Sequence, residues 1–204
     1  MKWVHCEERA LRKVRGASLA WYPYSCFALA GGGRVLLVDC AISSILGDAG
    51  IRVLLSRTLP ASLLREAEKP PVEARVLEPR ACGAEVAEEL RRLQAAGPGH
   101  RQPSIFDTAD YLAVRFLGVP SAMRRVEEAF RAHATGGLAP SILLEGLDLR
   151  ELEYLGVAFQ LLALDARRDR LYLLVGGEAR RLYLAEKLLR EDRGLRSLLF
   201  GPEK

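Results

Sequence analysis

Five rings, Trp3, Trp21, Tyr22, Tyr24 and Phe27, stand close together at the start of the chain, and no further aromatic follows until Phe106. Lys2, Arg9, Arg12, Lys13, Arg15 and Arg34 are interleaved with them. Flat rings beside cations suit unpaired nucleic acid, because rings stack on bases while cations hold the phosphates. On an extended strand Trp21 and Phe27 point to one face, Tyr22 and Tyr24 to the other. With one face committed to the core, the other is expected to present rings to solvent. That places Trp21, Tyr22 and Tyr24 as stacking residues, with Arg12, Lys13, Arg15 and Arg34 as phosphate contacts.

The charge distribution agrees with an anionic partner for this end. Residues 1–65 carry nine basic and four acidic side chains, whereas residues 66–204 carry 21 and 22, so the excess positive charge sits in the first third.

Other chemistry is sparse. Gly31-Gly32-Gly33 leads into Arg34 and a strand, not a helix N-terminus, so it reads as a hairpin turn and not a phosphate cradle. His5, His100 and His133 are scattered, and no serine sits in a nucleophile elbow. Cys6, Cys26, Cys40 and Cys82 lack C-x-x-C spacing and a histidine pattern, which argues against zinc. They read as small buried residues, with Cys26 and Cys40 the candidates for a disulfide across a hairpin. Asp39 ends an apolar strand, where acidic metal ligands of nucleases often lie, but a lone acid there is first a strand-end cap. No catalytic residue, metal or cofactor is assigned.

The segment Tyr111–Val126 resembles a DNA-reading helix-turn-helix in outline, with a turn at Gly118-Val119-Pro120 and Arg124 and Arg125 on the helix that follows. Val114 and Arg124 depart from the small and apolar residues that family wants, which leaves a plain helical hairpin.

The elements that must position these residues follow from periodicity. A short helix over Glu7–Arg15 is stopped by Gly16. Ala17–Ala30 and Arg34–Cys40 form a hairpin, and Val157–Leu164 and Arg170–Val175 form another around Asp165–Asp169. Helices are expected over 61–68, 84–96, 108–117, 121–134, 149–155 and 178–193, with further strands over 51–56 and 72–77. The sequence therefore predicts an α+β fold, a mostly antiparallel sheet from two β-hairpins (near residues 17–40 and 157–175) packed with several helices. Gly97–Ser104 reads as a linker between a basic, aromatic-rich half (1–96) and a second half (105–204).

Composition supplies the setting. There is no Asn, and Arg outnumbers Lys 25 to 5, a pattern of heat adaptation. No stretch reads as a membrane span or a signal peptide, so the expected compartment is the cytoplasm. The reading is a non-enzymatic nucleic-acid-binding protein from a thermophile, preferring single-stranded DNA or RNA. A structural or assembly subunit, docking its aromatic hairpin on a protein partner or in a homo-oligomer, is the alternative. An enzyme with an acidic site assembled near Asp39 is the third.

Overall fold

The computed structural model describes residues 1–41, 56–95, 147–182, 186 and 193–201. Two long strands organise it. β2 (Ser18–Ala28) and β7 (Glu153–Asp165) run antiparallel from Ser18 opposite Leu164 to Ala28 opposite Glu153. Both are rich in aromatic and branched residues, which suit a strand buried on both faces. The two halves of the sequence thus share one sheet.

Shorter strands flank this pair. On the β2 side, β3 (Arg34–Asp39) closes the first hairpin and β4 (Arg57–Pro60) pairs with β3. The glycine triplet makes that turn, with all three φ angles between +70° and +85°, a region that side-chain-bearing residues avoid. β6 (Arg75–Val76) lies against the other end of β2. On the β7 side, β1 (Lys2–Val4) runs parallel to β7 and pairs outward with β5 (Leu64–Glu66). β8 (Arg170–Val175) and β9 (Glu178–Arg181) complete a nine-stranded sheet that curls into an open half-barrel.

The expected α+β fold with several packed helices is therefore corrected: strands dominate the described residues. The helices there are short, α1 (Glu8–Lys13), α2 (Val86–Ala95) and α3 (Arg193–Phe200), with a 3-10 turn at Ala61–Leu63. The expected helix over 61–68 is mostly that turn and β5, because edge pairing with β1 outweighs local propensity. Glu178 begins β9 because Gly176, at φ +51°, reverses the chain tightly after β8. Residues 149–155 lead into β7 instead of forming a helix. The strand expected over 72–77 shrinks to β6. The expected linker 97–104, the helices over 108–117 and 121–134 and the Tyr111–Val126 segment lie outside the described residues, as does most of the strand over 51–56.

The sheet is buried on both faces. One carries Tyr22, Tyr24, Cys26, Val35, Leu37, Leu162 and Leu173 in a single apolar cluster. The opposite face divides. Trp3, Ala10, Val14, Trp21, Phe159 and Leu161 pack together under α1, while Phe27, Leu36 and Val38 meet Val86, Ala87 and Leu90 of α2. A disulfide between Cys40 and Cys82 pins the lead-in of α2 to the end of β3. Cys26 is free and buried, as read, but Cys40 is paired with Cys82, and register rules out the candidate Cys26–Cys40 disulfide. Cys26 lies opposite Leu37, and Cys40, three residues further on, faces the other side of the sheet.

Candidate functional site

Alternation along β2 holds as the sequence suggests, with Trp21 and Phe27 on one face and Tyr22 and Tyr24 on the other. The expectation of an exposed ring face fails. Trp21 is 0% exposed and both tyrosines are 1% exposed. Trp21 sits edge-on to Trp3 at 5.0 Å, Trp3 stacks on Phe159 at 4.9 Å, and the Trp21 indole N–H donates to the Val72 carbonyl at 2.9 Å. Those contacts satisfy the polar atom of a buried indole, as a core requires.

The tyrosine face holds a polar centre. The Tyr22 hydroxyl donates to the Asp39 carboxylate, which is itself fully buried. Tyr24 is opposite Asp39 in the β2–β3 ladder, its ring 5.0 Å from that of Tyr22. The Arg57 guanidinium donates to the Tyr24 hydroxyl at 2.6 Å and lies over the ring, 5.0 Å from its centroid. The Asp39 amide donates to the Ser56 hydroxyl at 3.1 Å. Burial is the main influence on the Tyr24 phenol. Opposed by Arg57 and reinforced by Asp39, it pushes the pKa up to about 12. Asp39 does gain company in space: the Tyr22 hydroxyl on its carboxylate, the Ser56 hydroxyl on its amide, and Tyr24 across the ladder. Asp39, Tyr22 and Tyr24 are all buried. Among the described residues no group of three His, Cys, Asp or Glu side chains is placed to hold a metal.

The four expected phosphate contacts do not converge. Arg12 pairs with Glu8 at 2.7 Å on α1, and Lys13 donates to the Gly177 carbonyl at 3.2 Å. Arg15 is exposed just before β2. Arg34 follows β2 and donates to the Thr58 hydroxyl. The eleven residues of β2 separate Arg15 from Arg34 by roughly 30 Å at strand rise.

Arg15 has other company. Ser18 lies opposite Leu164, so the chain before β2 adjoins the β7–β8 hairpin tip, where Arg167, Arg168 and Arg170 follow Asp165. Asp165 is 3.9 Å from Arg168, and Asp169 accepts from Arg196 of α3 at 2.8 Å. At the tip Arg167, Arg168, Arg170 and Arg196 stand with Asp165 and Asp169, a local net charge of +2. Arg15, Arg167 and Arg170 form no ion pair with the described residues. The sequence spells out this cluster, three arginines in the four residues 167–170. A charge count taken over 139 residues averages it away.

Among the described residues no helix is long and apolar enough to cross a membrane. No protein-family profile, no curated protein and no solved structure matches this chain.

Proposed function

We propose that the protein binds nucleic acid, without catalysing a reaction on it, through the sugar–phosphate backbone at the β7–β8 tip. The observation that carries this reading is the presence of Arg167 and Arg170, neither with an acidic partner among the described residues, at one hairpin tip, with exposed Arg15 just ahead of the strand end that lies opposite Leu164. Guanidinium groups suit the task because their planar forks match phosphate oxygens and never lose their charge. A tight turn between neighbouring strands about 5 Å apart keeps the tip arginines close enough to reach adjacent phosphates. The rings of Trp21, Tyr22 and Tyr24 serve this reading from inside, by stiffening the strands that hold the tip.

Fluorescence anisotropy with a labelled oligonucleotide tests it. If Arg15, Arg167, Arg168 and Arg170 each displace a counterion, the log–log salt slope is about −3 for a single strand and about −3.6 for a duplex. Single-stranded DNA or RNA, the ligands expected from the sequence, are compared directly with duplex. Binding that ignores salt, or that survives Arg167→Glu/Arg170→Glu undiminished, overturns the proposal.

A further inference from the structure

We propose that the groove between β1 and β6 is a docking site for an extended peptide segment of a partner protein. The segment adds as a strand to the open edge of β7 and sets a basic side chain on Glu78. The groove encloses 540 Å³, with Leu155, Val157 and Phe159 of β7 lining it and Met1 and Val76 also contributing to its wall. Met1, 67% exposed, and Val76, 41% exposed, are the exposed large hydrophobic side chains among the described residues, and both line this one groove. Exposed apolar groups gathered at a concavity mark a binding surface more than single exposed ones do.

Backbone geometry selects the occupant. β7 is paired with β2 along one edge from Glu153 to Leu164. Its other edge is covered by β1 only at Ala158 and Phe159, and by β8 from Leu162 onward. From Glu153 to Val157 that edge has no partner strand among the described residues. Within that stretch the register shifts opposite Cys26 and Phe27, and Gly156 takes φ +98°. Unpaired amides and carbonyls beside an apolar groove are what an added strand satisfies, its alternate side chains entering the groove. A second copy of this chain fits poorly. A two-fold interface would set groove against groove and leave both empty.

Charge sets the polarity of the guest. Lys2 is engaged by Glu66 at 3.0 Å. Glu78 lines the groove, is exposed and has no ion partner among the described residues, so a lysine or arginine on the guest completes it. The surface is separate from the β7–β8 tip and does not depend on nucleic-acid binding.

The probe is a labelled heptapeptide of alternating valine and threonine with a central lysine, titrated by anisotropy, beside a copy N-methylated on alternate amides. Saturable binding is expected, weakened about tenfold or more by N-methylation, because the side chains survive but the strand donors do not. Val76→Asp, at an exposed site, is expected to weaken it by a similar factor. Glu78→Lys is expected to lose the lysine peptide and accept one with central glutamate. Equal binding of the N-methylated peptide to the wild-type protein, or no saturation by about 1 mM, overturns the proposal. Binding indifferent to both Val76→Asp and Glu78→Lys overturns it as well, since the peptide then sits elsewhere.

Discussion

The middle of β2 and the tip of the β7–β8 hairpin make an instructive pair. The strand centre is dense in aromatic rings and holds an acid, two phenols and a guanidinium, all the residue types that suggest chemistry. The tip is a turn with no ring and a run of arginines. By composition the strand centre should be functional, yet packing on both faces of the sheet makes it the stabilising centre. The tip has the composition of an ordinary turn, yet it is where uncompensated charge reaches solvent. Rings are informative about binding only when one face is left uncovered, and a short sequence cannot show what will cover it.

The comparison breaks most directly at Trp21. Trp21→Ala empties a fully buried site and is expected to cost about 3–5 kcal/mol by denaturant unfolding. Oligonucleotide affinity of the remaining folded protein is expected to hold. A loss of affinity with stability intact would return the rings to the binding site.

Alkaline titration is the next largest effect. The folded protein holds the Tyr24 phenol neutral up to about pH 12, whereas an unfolded tyrosine ionises near 10. Between those values the unfolded state releases a proton that the folded state keeps, so stability is full below pH 10 and declines toward 12. Two units correspond to about 3 kcal/mol. Tyr24→Phe is expected to flatten that decline in urea midpoints measured from pH 9 to 12.

Smaller still is the hydroxyl of Tyr22. Tyr22→Phe leaves the Asp39 carboxylate one donor short in a buried place, at a cost of about 1–3 kcal/mol seen as a lower thermal midpoint. The smallest stability effect belongs to the tip. Arg167→Glu/Arg170→Glu is expected to change folding free energy by no more than about 0.5 kcal/mol. In the same variant the salt slope should become shallower by about 1.4 to 1.8 as two phosphate contacts are lost. If this variant unfolds easily, the tip belongs with the stabilising centre and the contrast collapses.

Much of the sheet was legible. Both hairpins, the glycine turn and the alternation along β2 follow from period-two patterning and turn residues. What was not legible is long-range. Nothing local says that Ser18 will face Leu164, or that Trp3 will stack on Phe159, since those contacts join segments over a hundred residues apart. The site suffered accordingly. The Tyr22–Asp39 contact was within reach once the glycine turn fixed the β2–β3 register. That the start of β2 would run beside the β7–β8 hairpin was not, because it depends on the β2–β7 pairing.

That pairing has a consequence for how the chain is made. β2 is finished at residue 28, but its partner is complete only at residue 165. At 5–20 residues per second a ribosome takes about 7 to 27 seconds to cover the interval. Throughout it one edge of an almost wholly apolar strand waits, with β3 already available on the other side through the glycine turn. Until β7 emerges, the described strands form two separate groups, β2 with β3, β4 and β6, and β1 with β5, and only β7 joins them into one sheet.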